Sequence, residues 1–135
     1  MKTESPLLDI QNLSVAFRTE QQQSVAVRNL SLQLFPSQIM ALVGESGSGK
    51  SVTALSILRL IPSPPALFQG GKIVFTTSQG ASLDLSTLPE AELQDIRGKA
   101  ISMIFQEPMS SLNPLMTCGQ QVAEILIRHL QLSEE

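Results

Sequence analysis

Residues 39–60 read IMALVGESGSGKSVTALSILRL, an apolar run followed by a glycine-rich turn and a segment with helical patterning. Gly44, Gly49, Lys50 and Ser51 complete the pattern G-x-x-x-x-G-K-[ST], which marks a phosphate-binding loop when a strand precedes it and a helix follows. The first five residues are nearly continuously apolar, as is typical of a strand buried on both faces of a parallel sheet. The stretch therefore predicts an α/β fold organised around a P-loop.

The chemistry of phosphate binding explains why these residue types occur at this spacing. Glycine lets the backbone curl so that successive N–H groups face inward, and a Cβ at Gly44 or Gly49 would obstruct that nest. The following helix directs its positive N-terminus to the same point. The Lys50 ammonium would reach the β- and γ-phosphates, and the Ser51 hydroxyl is a small oxygen ligand for Mg²⁺. We therefore expect a site for a nucleotide with Mg²⁺.

The composition argues against several classes of protein. Of the 135 residues, 42% are hydrophobic, which is enough for a folded domain. The net charge of -3, with an aromatic content of 4% that is all Phe, argues against a nucleic-acid partner. Cys118 is the single cysteine, which excludes an internal disulfide and fits a reducing cytosol. No apolar run approaches the ~20 residues that span a bilayer.

Apolar periodicity predicts the other elements of secondary structure. Alternation predicts strands at residues 8–17, 24–27, 30–35, 72–75 and 82–85, and an apolar run predicts a buried strand at residues 101–105. Helices are expected from residue 52 to about residue 60, where prolines follow, from about residue 89 to about residue 96, and near the end of the chain. The last two helices each begin at a capping box, Thr87-x-x-Glu90 and Thr117-x-x-Gln120.

The last predicted helix is apolar over a wide arc that includes Val122, Ile125 and Leu126. A helix of this kind needs a partner, and no further element follows it in the sequence. We therefore expect residues 1–135 to be an incomplete domain.

A second motif is more specific than the loop. IFQEPMSSLNPL occupies residues 104–115, and together with GESGSGKSVTALSILRLIPSPP it resembles the ATP-binding subunits of ABC transporters, in the oligopeptide/dipeptide importer branch. Within that branch the sequence looks most like the first ATPase half of tandem-ATPase subunits for peptide and microcin-type uptake, with glutathione import subunits next. The resemblance implies N-terminal antiparallel strands and a parallel-strand layer with helices. It also implies a β-subdomain and Walker A core in residues 1–105, and the Q-loop and start of a helical subdomain in residues 106–135.

The resemblance implies a role for each matching residue. The Walker A residues and Val52 after them would bind ATP, Lys50 and Gln106 would act in catalysis, and Ser51 and Gln106 would ligate Mg²⁺. Gln106 matches the Q-loop glutamine, whose neutral amide can contact both the metal and the attacking water. Taken alone, Gln106 is also explained as a polar residue at a strand end. The Walker A residues are Gly44, Glu45, Ser46, Gly47, Ser48, Gly49, Lys50 and Ser51.

The resemblance also suggests residues that contact the adenine base. Phe17 lies where the family places the aromatic side chain that stacks on adenine, a position where Tyr is commoner. Val25, in the next strand, would pack beside the base. Phe17 also continues the alternation of its strand, so core packing is an alternative role for it.

The partners expected from the resemblance are a membrane permease and a second ATP-binding domain in a head-to-tail dimer. Residues 107–116 match the region that meets the coupling helix of the permease, and four apolar side chains there suit a binding surface. Packing against the last helix is the alternative for these side chains. The expected location is the cytoplasmic face of the inner membrane. The four side chains are Met109, Leu112, Leu115 and Met116.

Three parts of the family's catalytic machinery have no match in residues 1–135. No apolar strand ending in Asp-Glu follows Gln106, so Walker B has no match; no LSGGQ-type signature is present; and His129 is not the switch histidine. Ser37-Gln38 replaces the Gly-Glu that is usual before the Walker A strand. We therefore expect negligible ATP hydrolysis by these residues alone.

The sequence thus favours part of an ABC-type peptide importer ATPase that couples ATP binding and hydrolysis to uptake through a permease. A truncated, non-hydrolysing nucleotide-binding remnant is the alternative. An unrelated P-loop enzyme, such as a small-molecule kinase, is disfavoured by the EPMSSLNP stretch and by the strands before the loop.

Overall fold

The computed structural model describes residues 5–20, 22–106 and 112–130. The chain forms two compact units, one that ends at Pro89 and one that begins at Glu90. The P-loop belongs to the first unit and Gln106 to the second. The division expected after residue 105, between the Walker A core and a helical subdomain, stays a prediction.

The first unit is built on an antiparallel sheet whose four strands lie in the order β2-β1-β3-β4. Its core is formed mainly by apolar side chains of β1 and β3, together with Val27, Leu58, Ile61 and Leu85. The strands predicted at residues 8–17 and 82–85 are confirmed. The elements are β1 (Leu8–Arg18), β2 (Gln23–Leu34), α1 (Lys50–Ile57), β3 (Ala66–Thr76) and β4 (Ser82–Asp84).

β1 contains a bulge at Asn12, where the alternation of buried residues changes phase. Asn12 has a left-handed backbone with φ 52°, and its N–H donates to the Ser31 Oγ at 2.8 Å. The extra residue lets both halves of the strand direct apolar side chains into the same core. The buried residues on the two sides of the bulge are Leu8, Ile10, Leu13 and Val15.

The two strands predicted at residues 24–27 and 30–35 are one continuous strand, β2. Asn29 lies between them with φ 47°, a conformation that interrupts regular pairing. Its N–H donates to the Ser14 Oγ at 3.0 Å, and the Ser14 hydroxyl donates to the Asn29 Oδ1 at 3.2 Å. Because a side chain replaces the missing backbone partner, the strand continues beyond the irregularity.

β3 is longer than the strand predicted at residues 72–75 and includes Gly70-Gly71. Gly71 has φ 98°, and a Cβ on it would lie 2.6 Å from the Leu13 Cα. Glycine is therefore required where β3 passes the bulge of β1.

The second unit contains α2 (Glu90–Ile96) and α3 (Cys118–Leu130). Only the second predicted capping box forms. The Gln120 N–H donates to the Thr117 Oγ1 at 3.2 Å, and the Thr117 N–H donates to the Gln120 Oε1 at 2.9 Å. At the other position the Thr87 hydroxyl donates to the Asp84 carbonyl, and the Glu90 carboxylate pairs with Arg97.

The predicted buried strands at residues 39–43 and 101–105 are wrong for this structure. Residues 39–43 form no strand, and Ile39 is 98% exposed. In the second segment only Ile101 forms a bridge, with Arg97, and Ile104 is 95% exposed. A strand buried on both faces needs a neighbour at each edge, and no segment in the described part of the chain supplies one.

Candidate nucleotide-binding site

The P-loop turns directly into α1, which begins at Lys50 with Gly49 as its N-cap. Gly49 has φ 90° and packs against Ala26 of β2, leaving no space for a side chain. A glycine N-cap supplies no side-chain acceptor to the first N–H groups of the helix, so those donors are available to an anion. The helix begins two residues before the predicted start and ends at Ile57.

The Lys50 ammonium is held by the loop that precedes it. Its Nζ donates to the Gly44 carbonyl at 2.7 Å, to the Glu45 carbonyl at 2.6 Å and to the Ser48 Oγ at 3.3 Å. An ammonium has three donor protons, so these three acceptors use all of them. The lysine charge is thereby fixed beside the loop backbone instead of extending into solvent.

The remaining Walker A residues lie in the turn and in the first turn of α1. Ser46 and Gly47 are exposed in the turn, and Gly47 has φ 81°. Ser51 is exposed and Val52 is half-buried in α1. The structure thus brings all the predicted Walker A residues together in one short segment.

The packed face of α1 carries two buried hydroxyl groups, which the sequence analysis did not single out. Thr53 and Ser56 are buried; the Thr53 Oγ1 donates to the Gly49 carbonyl at 3.0 Å and the Ser56 Oγ donates to the Val52 carbonyl at 2.6 Å. Buried hydroxyls bonded to their own helix leave no unpaired polar group on its packed face. Small polar residues at helical spacing after the loop are the signal that could have identified this face.

Among the described residues, clefts border the loop on the side of Gly47 and on the side of Gly44. One of about 140 Å³ is lined by residues 47–52 and by Ala26. The other, of about 250 Å³, includes Lys50, Gly44 and again Ala26. Sequence analysis missed Ala26, because a small residue within a strand carries no local signal of a ligand; only its position opposite the loop identifies it.

The two residues expected at the adenine base lie on neighbouring strands but do not share a face. Phe17 is half-buried and pairs with Ser24, whereas Val25 pairs with Ala16. Residues that pair across a ladder share a face and consecutive residues alternate. The register therefore does not favour Val25 packing beside a base that stacks on Phe17.

The residues expected at the Q-loop and the permease contact belong to the second unit. Gln106 is exposed, residues 107–111 lie outside the described part of the chain, and Leu115 is 92% exposed. Gln121 of α3 forms hydrogen bonds to the backbone of Asn113 and Met116. The Gln121 Oε1 accepts from the Asn113 N–H at 2.9 Å, and its Nε2 donates to the Asn113 and Met116 carbonyls, each at 3.1 Å.

The donor set fits Mg²⁺ that is bound together with a nucleotide. Ser51 offers an exposed hydroxyl at the start of α1, and no group of three or more His, Cys, Asp or Glu residues in the described ranges could hold a metal alone. Mg²⁺ is commonly bound through few protein ligands together with phosphates and water. The residues present therefore fit a cation whose other ligands come from the nucleotide.

The glycine-rich turn leads into α1 and holds its lysine at the loop, as in P-loop nucleotide-binding folds, although residues 39–43 before it form no strand. The ABC transporter family model matches residues 27–134, and the chain belongs to the ABC transporter family. Within residues 5–20, 22–106 and 112–130, no helix has both the length and the apolar character needed to cross a bilayer.

The curated relatives agree with the importer branch that the motifs indicated. The chain is 54% identical over 124 residues to the peptidoglycan transport ATP-binding protein YejF of Agrobacterium fabrum, covering 92% of this chain and 22% of the relative. It is 45% identical over 129 residues to the oligopeptide transport ATP-binding protein OppD of Bacillus subtilis, covering 96% and 35%. It is 44% identical over 129 residues to the glutathione import ATP-binding protein GsiA of Shigella boydii, covering 96% and 21%. The chain thus spans about a fifth to a third of the length of these relatives.

The solved structures confirm the fold class. The ATP-binding cassette MJ0796, in a dimeric post-hydrolysis state bound to ADP and Pi, matches with a TM-score of 0.72 at 21% identity. The match covers 95% of this chain and 50% of that one. The chain therefore has the fold of about half of an ATP-binding cassette.

Proposed function

We propose that this chain is the nucleotide-binding part of an ABC-type peptide importer and that its P-loop holds the phosphates of ATP with Mg²⁺. The observation that carries this proposal is the position of the Lys50 Nζ, held by three loop oxygens beside the N-terminus of α1. A full positive charge and a helix N-terminus at one point favour a polyphosphate over a neutral ligand.

In this proposal the backbone of residues 44–52 surrounds the phosphates, and Ser51 provides a hydroxyl ligand to Mg²⁺. The ion would neutralise part of the phosphate charge. Gln106 is the second proposed contact to the metal and to the attacking water, and its neutral amide can serve either as donor or as acceptor. Phe17 is proposed to stack on adenine, which its half-buried position at the end of β1 allows.

For the whole protein we propose that ATP binding and hydrolysis drive peptide uptake through a membrane permease. The relatives are named for peptidoglycan, oligopeptide and glutathione transport, which supports a peptide-like substrate. A second ATP-binding domain would pair head to tail with this one, and the permease would hold the pair at the cytoplasmic face of the inner membrane.

The permease contact is proposed at residues 107–116. Support comes from the described end of this segment, where Leu112 is 49% exposed and Leu115 is 92% exposed. Gln121 fixes the backbone of that end through three hydrogen bonds. Apolar side chains on a fixed loop are suited to an interface, because little conformational freedom is lost when the partner binds.

Calorimetry with Mg-ATP tests the phosphate site, with Lys50→Ala as the variant and Lys99→Ala, an exposed lysine of the second unit, as the matched control. We expect binding by the wild type and by Lys99→Ala and its loss in Lys50→Ala. At ~100 times Kd, the bound nucleotide should stabilise the folded chain by about 2.7 kcal/mol in thermal melts. Equal binding by Lys50→Ala would contradict the proposal.

Phosphate release separates this function from the non-hydrolysing alternative. If the wild-type chain releases phosphate from ATP and Lys50→Ala does not, hydrolysis is assigned to residues 1–135. Nucleotide binding without phosphate release would show that residues 1–135 bind ATP but do not hydrolyse it.

A further inference from the structure

The ammonium of Lys50 has three acceptors of unequal strength. The Gly44 and Glu45 carbonyl oxygens lie at 2.7 and 2.6 Å and belong to the backbone, whereas the Ser48 Oγ lies at 3.3 Å on a side chain that can rotate. A hydrogen bond weakens as its length grows beyond about 3.2 Å. The bond to Ser48 is thus the one that is most easily exchanged.

The Ser48 hydroxyl has a defined place within the loop. The Ser48 N–H donates to the Glu45 carbonyl at 3.2 Å, which closes the turn. A Cβ on Gly44 would lie 2.7 Å from the Ser48 Oγ, so the absence of a side chain at Gly44 makes room for this hydroxyl. The loop therefore positions the oxygen that accepts from Lys50.

Resting on the proposed function, we infer that Ser48 is a positioning residue whose hydroxyl holds the third ammonium proton of Lys50 until a phosphate oxygen replaces it. An anionic oxygen is a stronger acceptor than a neutral hydroxyl. On nucleotide binding one Nζ–H moves from the Ser48 Oγ to the phosphate, while the two bonds to the Gly44 and Glu45 carbonyls remain. The lysine thus meets the nucleotide without reorienting.

The experiment measures the exchange of the Lys50 ammonium protons with water by ¹H–¹⁵N NMR, first in the empty chain and then with saturating Mg-ATP. The variants are Ser48→Ala, Ser48→Thr, which keeps the hydroxyl, and Ser78→Ala, which removes an exposed hydroxyl outside the loop. Thermal melts establish that each variant is folded.

In the empty chain we expect Ser48→Ala to speed exchange about two- to fivefold, the lower part of the range for one hydrogen bond because this contact is long, while the other two variants match the wild type. With Mg-ATP bound, the rate in Ser48→Ala should equal that of the wild type, because the phosphate replaces the hydroxyl in both. A residue that only stabilises the loop would leave the difference in place.

Two results would overturn the inference: equal exchange in empty wild type and Ser48→Ala, or a difference that persists when nucleotide saturates both. Failure of every chain, wild type included, to bind Mg-ATP would instead contradict the proposed function and the exchange step with it. The contact between Lys50 and Ser48 would then still be tested by the rates in the empty loop.

Discussion

Gly49 and Ala26 approach so closely that a Cβ added to the glycine would lie 2.4 Å from the alanine carbonyl oxygen. The P-loop thus packs directly against the backbone of β2. A backbone carbonyl cannot rotate out of the way of an added Cβ, as a side chain could. The glycine is required by this packing as well as by its φ of 90°.

Gly49→Ala should therefore destabilise the chain by more than its backbone conformation alone explains and should abolish Mg-ATP binding. Gly80→Ala is the matched control, because Gly80 has φ 83° and no atom within 4 Å of its Cβ position. Both changes carry a conformational cost of about 1 kcal/mol, and only the first also clashes. Urea unfolding would measure the difference; equal destabilisation would show that the contact with β2 is unimportant.

Thr117→Ala should loosen the start of α3. The change removes the hydroxyl that accepts from the Gln120 N–H, at a cost of about 1 kcal/mol. Hydrogen exchange at the Gln120 amide would report it. Thr117→Ser retains the cap and should behave as the wild type, and Thr87→Ala, at the box that does not form, should leave the start of α2 unchanged.

Gln121→Ala should release the segment that carries Leu115. It removes the acceptor of the Asn113 N–H and the donors to the Asn113 and Met116 carbonyls. We expect the Asn113 amide to exchange about fivefold faster, as for the loss of one hydrogen bond. Glu124→Ala, an exposed change on the same helix, is the control, and unchanged protection in Gln121→Ala would show that the segment is held by other contacts.

A pair of isoleucines tests where the core lies. Ile73 is fully buried in β3, whereas Ile39 is 98% exposed. Ile73→Ala should destabilise the chain by about 2–5 kcal/mol through lost burial and the cavity that remains. Ile39→Ala should change stability by less than about 0.5 kcal/mol. Comparable losses at both positions, measured by denaturant unfolding, would show that residues 39–43 are buried in solution.

The same isoleucines show which parts of the fold are readable from the sequence. β1, α1 and the capping box at Thr117 follow from local patterns, and the structure contains all three. Residues 39–43 have the composition of a buried strand, but composition cannot supply the neighbour whose backbone groups complete the pairing. Local sequence also marked Thr87 as a cap, although its hydroxyl bonds to Asp84.

The residues of the candidate site divide in the same way, into those that a local motif predicts and those that only contacts between distant segments reveal. The spacing of glycines, lysine and serine predicts a phosphate loop, since that chemistry is local. Ala26 could not be predicted because only strand pairing brings it to the loop. The packing of Val25 beside the base stays a prediction, since sequence alone does not reveal the register of β1 and β2. Contacts between distant segments depend on strand pairing, which no single stretch encodes.

The bulge at Asn12 couples the lengths of three strands. The offset between β1 and β3 shifts after the bulge and returns to its earlier value by Val15, because β3 contains one compensating extra residue. β2 contains one extra residue between Val27 and Leu30 and a second between Val25 and Val27, so its offset from β1 shifts once more after Val15. The register of β1 with β3 is therefore shifted and then restored, whereas its register with β2 ends one residue away from where it began.

Deletion of Asn12 alone would keep Leu13 and Val15 in phase with Leu8 and Ile10. It would leave the compensating extra residue of β3 without a match, so the pairing of β1 with β3 beyond the bulge would slip by one residue.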